Sequence, residues 1–205
     1  MKLPLVSKGL GVVAAVGAAA SLNAAVVLAP GGAGAIPPTA GALPAWIAYS
    51  VHTKADDAGN FTATLESAVT DADLDGNLEF WYRVSNDVGS LSPLFGLGIN
   101  LGAALPAVTL DAQAGANTAD IGILGAGGTQ VSFLFTLDPI GPGETSLWAV
   151  LIPPKGKEYK LGTVGVLDGT SEDLRAFVLV PEPTTYAGLF ALGLAGFAAY
   201  RRFRA

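Results

Sequence analysis

From Phe61 onward the chain repeatedly alternates apolar and polar residues, the period of two that sends successive side chains to opposite faces of a strand. Phe61-Thr62-Ala63-Thr64-Leu65 is one such run. In Leu78-Glu79-Phe80-Trp81-Tyr82-Arg83-Val84, residues Leu78, Phe80, Tyr82 and Val84 share one face, and Glu79, Trp81 and Arg83 share the other. Val131, Phe133, Phe135 and Leu137 form a further stripe, closed by the turn Asp138-Pro139-Ile140-Gly141-Pro142-Gly143. Ser146 to Ile152 is expected as the next strand, with Trp148, Val150 and Ile152 facing together, before Pro153-Pro154-Lys155-Gly156-Lys157 ends it. Tyr159 to Leu167 and Leu174 to Val180 follow, separated by Asp168-Gly169-Thr170. Gly89 to Gly128 is Gly- and Ala-rich and poorly patterned, and is expected to hold long loops with one or two weak strands. Short strands punctuated by turns, with no convincing helix between them, predict an all-β domain over 45–179. The expected form is an antiparallel β-sandwich, jelly-roll-like or Ig-like.

Outside that region the pattern changes. Residues 25–44, including Pro30-Gly31-Gly32-Ala33-Gly34-Ala35-Ile36-Pro37-Pro38, are small residues and prolines. Such a composition is expected to form a flexible linker, with order beginning near Ala45. Before it, Lys2 and Lys8 precede the uncharged apolar run Gly9 to Ala20 and the small-residue segment Ser21-Leu22-Asn23-Ala24-Ala25. This is the order of a secretory signal peptide, expected over 1–24. Ala18-Ala19-Ala20 fits the small-x-small rule for cleavage, whereas a cut after Ala24 places Leu22 three residues before it.

The last segment, 180–205, has three parts: Pro181-Glu182-Pro183, the uncharged run Thr184 to Tyr200, and Arg201-Arg202-Phe203-Arg204-Ala205. The run has seventeen residues. As a helix at ~1.5 Å per residue it reaches roughly 25 Å, near the lower limit for a hydrocarbon core of about 30 Å. A single transmembrane helix is therefore expected over 184–200, with Arg201, Arg202 and Arg204 on the cytoplasmic side and Tyr186 and Tyr200 at its interfaces. The prolines favour extended backbone just before it, a form that a processing enzyme can bind. Ala187, Ala191, Ala195 and Ala199 recur every fourth residue, a small-residue face on which a partner helix can dock.

In this order the three parts resemble the PEP-CTERM sorting signal of bacterial exosortase substrates, over about an eighth of the chain. The resemblance implies export, a membrane-anchored precursor, processing by an exosortase-type membrane enzyme, and an association with exopolysaccharide and biofilm. Gly76 to Asn86, Gly141 to Ser146 and Asp168-Gly169 also look like parts of ectodomains that accompany such signals. That second likeness is less specific and implies only a β-rich exported domain.

Charge sharpens the reading of what is delivered. The chain has 17 acidic and 11 basic residues. Five of the bases, Lys2, Lys8, Arg201, Arg202 and Arg204, lie in the terminal segments. The remainder sets 17 acids, Glu182 among them, against six bases, a net charge of −11. Such a domain is unsuited to nucleic acid, whose binding needs phosphates neutralised by Lys and Arg. The roughly 155 residues between the two signals suit one domain with a core of its own. With no cysteine, that core has to work without disulfides, and thiol chemistry is excluded. The single histidine, His52, is read as a surface or packing residue, with no Gly-x-Ser-x-Gly elbow or phosphate loop beside it.

One acidic run stands out: Asp71-Ala72-Asp73-Leu74-Asp75-Gly76-Asn77-Leu78-Glu79. Oxygens at Asp71, Asp73, Asp75 and Asn77 around a glycine turn resemble the opening of a calcium loop. The twelfth position, where an EF-hand needs a bidentate acid, is Tyr82, and neither flank is helical. The run is read as a solvated hairpin turn, with weak calcium binding as the alternative and no other cofactor expected. Asn60-Phe61-Thr62 is read as a turn-to-strand start, and Lys155, Lys157 and Lys160 as a solvated basic loop.

Three functional classes follow. The chain is expected to be a non-enzymatic surface or matrix protein, using the secretion machinery and an exosortase and touching exopolysaccharide. A carbohydrate-binding module is the alternative, with Trp81, Trp148 and Tyr82 as stacking candidates and an exposed, coplanar aromatic pair as its mark. A hydrolase working through two carboxylates is the third and least favoured.

Overall fold

The computed structural model describes residues 25–71, 74, 76–102, 104–154, 158–168 and 171–180. Among these there is no helix, and twelve strands follow one another along the chain. They are β1 (Val26–Leu28), β2 (Ala33–Ala35), β3 (Trp46–Ala55), β4 (Thr62–Thr70), β5 (Glu79–Asn86) and β6 (Gly96–Asn100), then β7 (Val108–Ala112), β8 (Ile121–Leu124), β9 (Gln130–Leu134), β10 (Ala149–Ile152), β11 (Tyr159–Leu167) and β12 (Ser171–Leu179). The first sheet has the order β1-β7-β10-β5-β4-β3 and the second β12-β11-β6-β9-β8-β2. Every strand pair is antiparallel, so the expected all-β sandwich is what the chain forms.

The alternating stripes explain which faces meet. Leu78, Phe80, Tyr82 and Val84 are buried between the sheets, as are Leu65, Phe133, Phe135, Leu110, Leu151, Val164 and Leu174. Leu137 departs from its stripe and is 87% exposed. The reason is local: β9 ends at Leu134, and Asp120 then gathers the following backbone. Its carboxylate accepts from Thr136 N at 3.0 Å, Thr136 Oγ1 at 2.8 Å and Leu137 N at 2.5 Å. Trp148 and Val150 do share a face, but it is the outer one, where they pack with Trp81 and Ala68.

Two expectations are corrected. Residues 25–44 are not a linker: β1 pairs with β7, β2 pairs with β8, and Ile36 is buried in the main core. Beyond Ile36 the chain becomes a strap over the outer face of the first sheet. Asp111 holds it by accepting from Thr39 N at 3.0 Å, Thr39 Oγ1 at 2.7 Å and Ala40 N at 3.1 Å. Gln113 Nε2 donates to Gly41 O at 2.6 Å, and Ala40 and Leu43 pack over the Trp81, Trp148 and Val150 cluster. Small residues gain little from burial themselves, but hydrogen bonds fix their backbone while they cover two tryptophans.

The second correction concerns Gly89 to Gly128, which contains three strands, β6, β7 and β8. In β6 the inward residues Leu97 and Ile99 alternate with outward glycines, Gly96 and Gly98. A Cβ on Gly96 would lie 2.8 Å from Phe133 O, so this strand accepts no larger residue there. Glycine at the outward positions hides the polar half of the alternation.

The two sheets are joined at one border by side chains. Tyr82 OH, from β5, donates to Phe177 O of β12 at 2.8 Å, and Phe177 N donates to Ser67 Oγ of β4 at 3.1 Å. Thus an edge strand of the second sheet has backbone groups satisfied by residues of the first.

Candidate functional site

The outer face of the first sheet is half covered. The strap lies over the β10 side, while the β3 and β4 side is open. β3 is an edge strand, and its register with β4 breaks once. Trp46 pairs with Thr70 and Ala48 with Val69, which leaves Ile47 as the extra residue of a bulge. Residues three apart normally face opposite ways. Here the bulge cancels one alternation, so that Trp46 and Tyr49, opposite Thr70 and Ala68, stand on the same outer face. Their ring centroids are 5.5 Å apart with 33° between planes, and they are 55% and 38% exposed.

Tyr49 is held from the side. Its hydroxyl donates to Glu66 Oε2. Arg83 donates to the same carboxylate from Nε at 2.9 Å and Nη2 at 2.8 Å, a bidentate pair. The guanidinium of Arg83 lies 4.7 Å from the centre of the Trp148 ring. Burial pushes the Glu66 carboxyl up, yet the Arg83 and Tyr49 hydrogen bonds and the Arg83 charge outweigh it and hold Glu66 below the usual carboxylate range. Donation to Glu66 pushes the Tyr49 hydroxyl up. One row further along, Thr53 and Thr64 share a hydrogen bond of 2.8 Å, and Ser85 and Thr145 one of 2.9 Å. The face therefore runs from an aromatic pair through an ion pair to a strip of hydroxyls.

The second sheet offers a different feature. Gly98 and Gly165 are register partners, and their outer sides form the floor of an open groove of about 410 Å³. Asn100, Gln130, Thr163 and Asp173 line it. Amides, hydroxyls and a carboxylate make this groove polar, and among the described residues no basic side chain lines it.

The residues singled out in the sequence are distributed as follows. Asp71 and Asn77 sit at the β4–β5 turn, while Asp73 and Asp75 lie outside the described residues. Asp71 Oδ1 accepts from Gly76 N at 3.3 Å, and its carbonyl from Leu74 N at 3.3 Å, so Asp71 closes the hairpin itself. Gly76, at φ +81°, supplies the left-handed backbone of that turn. Among the described residues no three Asp, Glu or His side chains are grouped to hold a metal. His52 is on the inward side of β3, and its Nδ1 makes no hydrogen bond among the described residues. The stacking candidates are corrected: Trp81, Trp148 and Tyr82 are all buried. Trp81 Nε1 donates to Thr70 Oγ1 and Glu79 Oε2, both at 3.1 Å, and the strap covers its face. The exposed pair is Trp46–Tyr49, missed because a bulge leaves no mark in the spacing. Lys160 is exposed on β11, while Lys155 and Lys157 lie outside the described residues.

The sorting segment lies almost wholly beyond the described residues. Pro181, Glu182 and Pro183, the alanines 187, 191, 195 and 199, and Arg201, Arg202 and Arg204 are outside them, as is the segment over 1–24 expected as a signal peptide. What is described is the approach: β12 ends at Leu179, and Val180 N donates to Glu158 O at 3.1 Å. Residues 179–202 match the family model of the PEP-CTERM protein-sorting motif. No curated protein and no solved structure matches the chain.

Proposed function

We propose, from the premise that this chain is a PEP-CTERM sorting-motif protein, that its sandwich is a non-enzymatic component of the cell surface or extracellular matrix that works in association with exopolysaccharide. The motif marks an exported protein, anchored in a membrane as a precursor and targeted for processing by exosortase, a membrane enzyme. Export engages the secretion machinery, and release hands an acidic, disulfide-free sandwich to the outside. The observation that carries this reading is the continuity of cargo and signal: β12, an edge strand with its inward side chains in the core, ends one residue before Val180 and two before Pro181. A structural role fits the carboxylates as well. Asp111 fastens the strap, Asp120 a turn, and Glu66 an arginine and a tyrosine, so all three take part in holding the fold.

The test is to express the chain with and without Pro181-Glu182-Pro183, fractionate the cells and map the mature C-terminus. The intact chain is expected outside the cell with its C-terminal segment removed, and the variant is expected to stay full-length in the membrane fraction. Equal distribution and equal length of the two would overturn the reading. The exposed Trp46–Tyr49 pair favours carbohydrate binding as part of the same role.

A further inference from the structure

We propose that the open half of the first sheet's outer face, formed by Trp46, Tyr49, Glu66 and Arg83, binds a neutral polysaccharide chain. A sugar presents two kinds of surface. A pyranose ring has apolar C–H faces and a rim of hydroxyls, and a site for it needs aromatic surface next to groups that both donate and accept. Trp46 and Tyr49 supply the first, tilted by only 33° and exposed on one side of the sheet. Glu66 and Arg83 supply the second, directly beside Tyr49.

The site is also built before any ligand arrives. Tyr49 is tied to Glu66, Glu66 to Arg83, and Arg83 lies on the buried Trp148 ring. A platform whose side chains are already ordered avoids the cost of ordering them on binding. The length suits a polymer: from Trp46 to Thr53 the strand runs roughly 20 Å, and the Thr53, Thr64, Ser85 and Thr145 hydroxyls continue the polar strip. Charge selects the class of polymer. The carboxylate of Glu66 is matched by Arg83, so the site carries no excess cation for a uronate or sulfate, and the acidic domain repels polyanions. This rests on the extracellular role proposed above only for where such a chain is met.

The full chain, in a detergent without a sugar headgroup, is titrated by calorimetry with dextran, mannan, cellohexaose and laminarihexaose, and with polygalacturonate as the anionic comparison. Heat is expected from at least one neutral glycan and not from polygalacturonate. Trp46→Ala is expected to bind about tenfold more weakly, the scale of one lost aromatic contact. Tyr49→Phe, which keeps the ring, is expected to lose less than Tyr49→Ala. A Thr163→Val, Gln130→Ala double variant in the groove of the second sheet is expected to bind as the parent does. All four positions are outside the main core, and a thermal melt confirms that each variant is folded. No heat from any neutral glycan overturns the proposal, as does undiminished binding by Trp46→Ala with Tyr49→Ala, or loss confined to the groove variant. Sedimentation of the same variants adds one more: if removing Trp46 only converts a dimer to a monomer, the face belongs to a second copy and the proposal falls. Failure in any of these leaves the fractionation result standing, so the two readings are separable.

Discussion

Tyr82 shows how much one residue contributes to joining the sheets. Its ring is in the core, burial pushes its hydroxyl up, and that hydroxyl serves a carbonyl of β12. Tyr82→Phe keeps the ring and leaves Phe177 O without this donor, so a loss of about 1 kcal/mol is expected in a denaturation series. Glu66 makes the pH prediction. Its carboxyl, like that of Asp120, is held below the ordinary range in the folded chain. A depressed folded pKa gives stability that is complete above the unfolded value and lost as pH falls through the folded one. The melting temperature is therefore expected to drop as pH falls from about 5 toward 3, and Glu66→Gln to make that drop shallower. The alternation at Leu78 to Val84 was legible because Leu78, Phe80, Tyr82 and Val84 keep one face apolar while the charged Glu79 and Arg83 mark the other. The Trp46–Tyr49 pair was not, since a bulge changes the face without changing any residue type.

At the scale of elements, the strap is the part whose role depends most on one side chain. Asp111 accepts three hydrogen bonds from Thr39 and Ala40. Asp111→Ala is expected to free the strap, cost about 1–3 kcal/mol, and shift tryptophan emission to longer wavelength as Trp81 and Trp148 meet water. Composition hid this element, because small residues and prolines read as a linker unless the distant carboxylate that binds them is known. The same limit applies to β6, where Gly96 and Gly98 occupy the outward positions. Strands with bulky residues on both faces or a clean polar face, such as β5 and β9, were visible; strands with glycine on one face were not. The hairpin at Asp71 to Asn77 was legible as a turn, and the structure adds that Asp71 itself closes it.

For the whole molecule, the sorting signal was the most legible part, because its three pieces are local in sequence and each has its own physical requirement. The candidate glycan face was the least legible: Trp46, Glu66 and Arg83 come from three strands, and only the sheet brings them together. Exposed aromatic surface on an edge strand is otherwise a liability. Here the Glu66–Arg83 pair beside it keeps the face amphipathic, which suits a hydroxylated ligand.

The strand that leads into the sorting motif also determines where mechanical force enters the domain. While the precursor is anchored, any pull on the domain is transmitted through Val180 into β12. That strand is paired with β11 from Tyr159↔Leu179 to Leu167↔Ser171, and Tyr82 and Ser67 grip its other side. A pull along its axis has to shear these bonds together rather than peel them one at a time. Resistance to such a pull is governed by the unfolding rate. In single-molecule stretching from the C-terminal end, Tyr82→Phe is expected to unfold at lower force than the parent, so the same hydroxyl that joins the sheets also sets how hard the tethered domain can be pulled.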